Sequence, residues 1–245
     1  MLGTSTSSVT ALLLLSLLKK LDRLRDRIKD KRLNEYTMIE KYILDHSQPE
    51  SELLQKLTRE VNIGMLHPHM LSGHIQGRLL SMLVHMLKPH RILELGTYVG
   101  YSAICMAEGL PADGKIITID IDDEIEDIAR GYIAQSPHAD KIEMLVCDAL
   151  QWLPTCNETF DLVFMDANKR HYIEYFEAVI DKVRPGGFIL ADNTLWGGKV
   201  VEKVASNDYQ TQGLLRFNDY LKTVPGIEYF ILPLRDGITF IRKHL

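Results

Sequence analysis

Apolar residues along this chain form short continuous runs and longer stretches in which they recur every three or four positions. Five continuous runs begin 20 to 26 residues apart, at 91–95, 115–120, 141–146, 161–166 and 187–192. Runs that are apolar throughout predict strands buried on both faces of a sheet. The helical stretches between them predict βα units, so we expect the central part of the chain to form a parallel sheet.

The C-terminal part departs from this alternation. Residues 200–223 have a helical pattern, and the following tail, IEYFILPLRDGITFIRK, predicts two strands joined by a turn at Arg235-Asp236-Gly237. Strands joined by so short a turn are antiparallel, and a mostly parallel sheet can carry such a pair at its edge. The predicted fold class is therefore α/β, Rossmann-like and mostly parallel, with helices on both faces and an antiparallel C-terminal strand pair.

The first 90 residues are predicted to be largely helical. We expect helices over 34–62, with Ser47 as the cap of one helix, and another helix over 71–87. Residues 1–37 form an N-terminal extension, and residues 38–245 form a single domain.

The extension contains an apolar run, VTALLLLSLL, followed by the charged segment KKLDRLRDRIKDKR. The run is shorter than the roughly 20 residues that a membrane-spanning helix needs. It also lacks the basic start and the small-residue cleavage site of a signal peptide. The pattern predicts an amphipathic helix with a basic face. Such a helix can pack on this protein or a dimer partner, or contact a membrane surface.

Composition narrows the functional classes. The net charge is −5, which argues against a protein held mainly by nucleic-acid phosphates, unless a local basic patch overrides the total. The three cysteines, Cys105, Cys147 and Cys156, form no C-x-x-C pair and predict reduced thiols in a cytoplasmic protein.

The first strand is followed by a glycine turn, in the order Glu94, Gly96, Tyr98, Gly100 and Ser102. This E-x-G-x-x-x-G pattern differs from the G-x-G-x-x-G of dinucleotide binders, and it suits either a close backbone approach to a ligand or a tight bend.

Two further acidic residues end the second and third runs. Asp120 is placed to accept hydrogen bonds from ribose hydroxyls, unless it is a surface carboxylate. Asp148 is placed either to accept from an adenine amino group or to cap the next helix. Polar groups at three successive strand ends favour the ligand site over these structural alternatives.

The fourth and fifth runs end in a second polar set. Asp166 ends one run, and Asp192 and Asn193 end the next. Neighbouring strands would bring these side chains together, and an all-oxygen set suits Mg²⁺, Ca²⁺ or Mn²⁺ rather than zinc. The alternative is that each Asp caps the element that follows it. Lys169 is either a base in the same cleft or a solvated helix lysine.

The segments ILELGTYVGYSA, ITIDIDDE, FDLVFMDANKRHY, ILADNTLWGG and DGITFIRK resemble the cation-dependent, S-adenosylmethionine-dependent O-methyltransferases of the catechol and caffeoyl-CoA group. The resemblance covers roughly residues 38–245 and implies a seven-stranded sheet and a homodimer. It implies that Asp166, Asp192 and Asn193 bind a divalent cation, Mg²⁺ first, and that Lys169 is the catalytic base. It further implies a cofactor-binding set of Met70, Ser72, Glu94, Gly96, Tyr98, Ser102, Asp120, Asp148, Ala149 and Asp166.

The function expected from this resemblance is methyl transfer to a hydroxyl of a small vicinal-dihydroxy aromatic, with Trp196 as an aromatic wall or a packed loop anchor. Two alternatives stay open. One is methylation of a tRNA wobble uridine, and the other is a cofactor-binding module without turnover. The segment SGHIQGRLL departs from the family at His74, which leaves contacts there unassigned.

Overall fold

The predicted alternation of strands and helices is present in the computed structural model, which describes residues 38–245. Seven strands form one sheet in the order β3-β2-β1-β4-β5-β7-β6. Their bounds are β1 Arg91–Leu95, β2 Lys115–Asp120, β3 Ile142–Val146, β4 Phe160–Met165, β5 Val183–Ala191, β6 Ile227–Leu232 and β7 Ile238–Lys243. Strands β1 to β5 pair in parallel, and β7 is antiparallel to both β5 and β6. The predicted fold class is confirmed.

The register of the central strands determines where the site forms. Leu95 of β1 lies opposite Met165 of β4, which lies opposite Ala191 of β5. The residues that follow these three strands therefore meet at one edge of the sheet. The strand order also reverses between β1 and β4, and such a reversal opens a crevice in which α/β proteins bind ligands.

Helices cover both faces of the sheet. Their bounds are α1 Glu52–Gly64, α2 His74–Leu87, α3 Tyr101–Gly109, α4 Glu126–Gln135, α5 Ala149–Trp152, α6 Tyr172–Ile180 and α7 Tyr209–Leu221. On one face, Leu93 and Met165 pack with Phe217 of α7. On the other face, Ile92 and Phe164 pack with residues of α2 and α3. Both faces of the strands are thus buried, which explains their continuous apolar sequence.

The expected helices over 34–62 are interrupted. Residues 38–45 are helical, and α1 begins only at Glu52. Ser47 is not the cap that we predicted, because its hydroxyl donates a hydrogen bond back to the Ile43 carbonyl. Ser51 caps α1 instead by accepting from the Leu54 amide. Pro49 explains part of the break, since a proline disfavours helical geometry in the residue before it.

The helix predicted over 200–223 is also shorter than expected. A 3-10 segment spans Trp196–Val201, and α7 begins at Tyr209 with Asp208 as its cap. Asp208 accepts from the Thr211 amide at 3.1 Å, so this cap, rather than the apolar pattern, determines where the helix starts.

Residues 50–245 form one compact unit, which contains the whole sheet. The predicted amphipathic helix of the extension lies outside the described residues. Among residues 38–245, no helix is long and apolar enough to cross a membrane. The predicted boundary between extension and domain at residue 38, and the predicted cytoplasmic location, stay predictions.

Two helical glycines give a matched test of how tightly α7 is packed. A Cβ on Gly213 would lie 2.4 Å from the Lys169 carbonyl oxygen, whereas a Cβ on Gly131 in α4 would meet nothing within 4 Å. We expect Gly213→Ala to lower the free energy of unfolding by about 1–3 kcal/mol through overpacking. Gly131→Ala should raise it by roughly 0.5–1 kcal/mol, because alanine favours the helix. Urea unfolding measures both, and equal effects of the two substitutions would contradict the packing described.

Candidate active site

A cavity of about 490 Å³ lies at the carboxyl edge of the sheet. Its size is within the usual range for a small-molecule site. Residues after all five parallel strands contribute to its wall. The lining includes the predicted site residues Met70, Ser72, Gly96, Tyr98, Asp120, Asp148, Ala149, Asp166, Lys169, Asp192 and Asn193. The structure thus brings together nearly the whole set that the sequence indicated.

The glycine turn after β1 is shaped by two contacts. Gly96 has φ 98°, and a Cβ there would lie 2.3 Å from the Asp166 carbonyl oxygen, so only glycine fits. The amides of Thr97 and Tyr98 both donate to Asp120 Oδ2, at 2.9 and 2.7 Å. Asp120 is therefore bound to the turn as well as facing the cavity, and it is not a solvated surface carboxylate.

Glu94 and Ser102 are absent from the described residues that line the cavity. Side chains alternate along a strand, so Glu94 points to the face opposite Leu95. Its carboxyl group is fully buried and accepts a hydrogen bond from the Thr118 hydroxyl at 2.5 Å. Burial raises the pKa of Glu94 to about 8, and nearby Asp166 and Asp120 add to the rise. Direct cofactor contacts of Glu94 and Ser102 stay predictions.

Asp148 has the capping role that the sequence left open. Its side chain accepts from the Leu150 amide at 2.9 Å at the start of α5. It also lines the cavity beside Ala149, so capping and ligand contact are compatible at this position.

Lys169 is held inside the site. Only 6% of the residue is exposed, so the alternative of a solvated lysine is wrong. Its Nζ donates to Asp166 Oδ1 at 2.6 Å and to the Tyr172 hydroxyl at 2.7 Å. The same Tyr172 oxygen lies 2.8 Å from the carbonyl of Asp192 and 3.2 Å from that of Met165. Tyr172 therefore connects the lysine to the ends of β4 and β5.

Asp192 is 2% exposed, and each of its carboxylate oxygens accepts one hydrogen bond. Its Oδ1 accepts from the Asn193 amide at 2.8 Å, and its Oδ2 accepts from Gln76 Nε2 at 2.5 Å. Burial raises the pKa of Asp192 to about 7, and repulsion by the Asp166 carboxylate contributes to the rise. The two carboxylates thus form a like-charged pair that Lys169 compensates only in part.

Asn193 follows with φ 59°, a left-handed conformation that asparagine tolerates better than most residues. Among residues 38–245, no group of three or more His, Cys, Asp or Glu could hold a metal ion. A divalent-cation site at this edge would therefore use the carboxylates of Asp166 and Asp192 and the side-chain amide oxygen of Asn193.

Sequence reasoning missed several residues of the site, above all Gln76, Tyr172 and Arg235. Gln76 stands four residues before Leu80 and eight before Val84, both buried. A polar residue on that apolar face of α2 is the signal in the sequence that indicates this buried contact. Gln210 lines the cavity, as Arg235 does, and its Oε1 is buried without a hydrogen-bond partner among the described residues.

Comparison with known proteins decides the family. The family model described as O-methyltransferase matches residues 44–244. A caffeoyl-CoA O-methyltransferase of Stellaria longipes is 34% identical over 232 residues, covering 88% of this chain and 94% of the relative. Caffeoyl-CoA O-methyltransferase 5 of Nicotiana tabacum is 36% identical over 217 residues, covering 82% and 89%. The chain belongs to the O-methyltransferase family.

Solved structures agree with this assignment. The O-methyltransferase TomG of Streptomyces achromogenes, in complex with S-adenosylmethionine, is 31% identical with a TM-score of 0.78, covering 85% of this chain and 96% of its own. An O-methyltransferase of Bacillus cereus, in complex with S-adenosylhomocysteine, is 30% identical with a TM-score of 0.77, covering 84% and 97%. The protein is an S-adenosylmethionine-dependent O-methyltransferase, so the alternative of a module without turnover is wrong.

Asp120 gives a direct test of the cofactor side of this O-methyltransferase. We expect Asp120→Ala to weaken binding of S-adenosylhomocysteine by about 10- to 150-fold, since hydrogen bonds to a charged group contribute about 1.5–3 kcal/mol. Asp122→Ala removes an exposed carboxylate two residues away and should change the affinity less than about twofold. Calorimetric titration compares the two variants. Equal affinities would remove Asp120 from the cofactor site.

Proposed function

We propose that this O-methyltransferase methylates one hydroxyl of a small vicinal-dihydroxy aromatic of the catechol or caffeoyl type, with a divalent cation bound by Asp166, Asp192 and Asn193. The observation that carries the proposal is the pair of carboxylates at the ends of β4 and β5. They line one cavity, their charges repel each other, and Lys169 donates a hydrogen bond to Asp166.

The donor set fits a hard divalent cation. Carboxylate and amide oxygens are the ligands that Mg²⁺, Mn²⁺ and Ca²⁺ prefer, and within residues 38–245 no His or Cys completes a metal-binding group with them. Each carboxylate offers about four lone-pair sites, so Asp166 and Asp192 retain capacity beyond the hydrogen bonds described. Burial and repulsion by Asp166 raise the pKa of Asp192, and a bound cation would offset both effects. Mg²⁺ is the first choice because it commonly retains open positions for water and substrate.

When bound, S-adenosylmethionine supplies an electrophilic methyl group, and the cation supplies Lewis acidity toward two neighbouring acceptor oxygens. The residues of the chain hold the reacting partners. As an amine, Lys169 Nζ directs its two N–H groups to Asp166 and Tyr172 and accepts the proton of the attacking hydroxyl with its lone pair, and the Tyr172 hydroxyl fixes the position of that nitrogen. Gly96 lets the backbone approach the cofactor closely, and Asp120 presents its carboxylate to the ribose hydroxyls.

The lining of the cavity favours a flat aromatic acceptor. Trp196 and Tyr175 both contribute to the wall, next to polar residues at the carboxyl edge of the sheet. The Trp196 backbone is held by its amide, which donates to the carbonyls of Asn193 and Asp236 at 3.1 and 3.3 Å. A ring stacked near Trp196 would present two adjacent oxygens toward Asp192 and Asn193. The caffeoyl-CoA names of the plant relatives support the same acceptor class.

Turnover with defined metals tests this proposal. We expect methyl transfer from labelled S-adenosylmethionine to catechol or a caffeoyl ester with Mg²⁺, and its loss with a chelator. Asp166→Ala should lower kcat/KM about a thousandfold, because loss of several kcal/mol of cation stabilisation has that effect. Asp181→Ala, which removes an exposed carboxylate just after α6, is the matched control and should retain full activity.

Two results would contradict the proposal. Turnover that survives the chelator and Asp166→Ala would remove the cation from the reaction. Methylation of tRNA but of no small phenol would support the alternative acceptor, a wobble uridine.

A further inference from the structure

A chain of three polar side chains runs from the carboxylate pair to the turn between β6 and β7. Asp192 Oδ2 accepts from Gln76 Nε2 at 2.5 Å, and Gln76 Oε1 lies 3.5 Å from Arg235 Nη1. Arg235 Nη1 also donates to the Leu71 carbonyl at 3.0 Å. Gln76 is 1% exposed, and its two partners lie 116 and 159 residues away in sequence.

The chemistry of the two partners determines how the Gln76 amide is oriented. A guanidinium has only donors, and an ionised carboxylate has only acceptors. The amide oxygen must therefore face Arg235, and the amide nitrogen must face Asp192. Glutamate would place a third carboxylate against Asp192, and an apolar side chain would leave both partners without this contact.

The turn that carries Arg235 is itself fixed to the loop after β5. The Asp236 carbonyl accepts from the amides of Leu195 and Trp196, at 2.7 and 3.3 Å, and the Gly237 carbonyl accepts from the Thr194 amide at 3.0 Å. The Asp236 side chain accepts from the Gly197 amide at 3.1 Å. This turn therefore braces the loop that contains Asn193, while Arg235 braces Gln76.

We infer that Gln76 is a positioning residue for the cation site: held by Arg235, it fixes the orientation of the Asp192 carboxylate so that its remaining lone pairs face the cation. This inference rests on the proposed function, since it assumes that Asp192 binds a cation. Without the Gln76 amide, the Asn193 backbone amide is the one hydrogen-bond donor to the Asp192 carboxylate that remains among the described residues, so its orientation is fixed less firmly. Groups that orient a metal-binding side chain typically contribute 10- to 100-fold to metal affinity.

A Gln76 that served only to pack α2 would affect stability but not cation binding. Ser81 is the matched control, because it lies on the same helix, is equally buried, and donates to Glu108 rather than to Asp192. Gln76→Met keeps the length of the side chain and removes both polar contacts. Arg235→Lys keeps the positive charge but removes the planar fork that holds the amide.

The experiment measures Mn²⁺ binding to the full chain by electron paramagnetic resonance, with S-adenosylhomocysteine present and no acceptor. We expect Gln76→Met to weaken Mn²⁺ binding about 10- to 100-fold and Arg235→Lys to weaken it less, with Ser81→Ala unchanged. The affinity for S-adenosylhomocysteine should stay within about threefold in all three variants, which excludes a general loss of structure. If Gln76→Met does not fold, Arg235→Lys carries the test.

Wild-type Mn²⁺ affinity in the folded variants at residues 76 and 235 would overturn the inference and leave the proposed function intact. Equal weakening by Ser81→Ala would overturn it too, since the effect would then follow any buried polar change in α2. A wild-type chain that binds no Mn²⁺ would instead remove the cation site and this inference together.

Discussion

Repulsion between the carboxylates of Asp166 and Asp192 is the constraint around which the active site is built. Parallel pairing of β4 with β5 places both residues at the same edge of the sheet, and the Asp192 amide donates to the Met165 carbonyl at 2.9 Å. Asp192 is almost completely buried, so water contributes little to screening the two charges. Lys169 donates a hydrogen bond to the Asp166 carboxylate, and Gln76 and the Asn193 backbone amide donate to the Asp192 carboxylate, so each of these contacts offsets part of the repulsion.

These contacts come from both neighbouring and distant parts of the chain. Lys169 reaches Asp166 from the turn after β4, and Gln76 reaches Asp192 from α2. The Tyr172 hydroxyl accepts from Lys169 and lies against the backbone at the end of β5.

Packing of α7 supports the same part of the site, because Gly213 allows the helix to approach the Lys169 backbone and Phe217 packs edge-on against Tyr172. Stability and site geometry are therefore determined by the same contacts.

The sequence was informative about the sheet and the strand ends because both follow from local patterns. Continuous apolar runs predicted β1 to β5, and residues after parallel strands must meet at one edge, which brought Asp120, Asp166 and Asp192 together. The orientation of Glu94 was harder to predict. Alternation shows that Glu94 and Leu95 point to opposite faces, but a continuous apolar run does not show which face of the sheet each residue takes. Helix starts at Glu52 and Tyr209 depended on local caps that competed with equally good candidates, such as Ser47.

The role of Gln76 was not predictable from the sequence, because its contacts depend on tertiary proximity. Neither Asp192 nor Arg235 is near it along the chain, and a polar residue on an apolar helix face indicates a buried contact without indicating its partner. The amphipathic helix predicted for the extension and the predicted homodimer depend on contacts beyond residues 38–245 of one chain. They stay predictions.

Anomalous diffraction from crystals grown with Mn²⁺ and S-adenosylhomocysteine would locate the cation directly. We expect one strong anomalous peak bonded to side-chain oxygens of Asp166, Asp192 and Asn193, at the roughly 2.0–2.6 Å typical of oxygen ligands to such cations. A peak bound elsewhere, or no peak at these residues with the cofactor product in place, would contradict it.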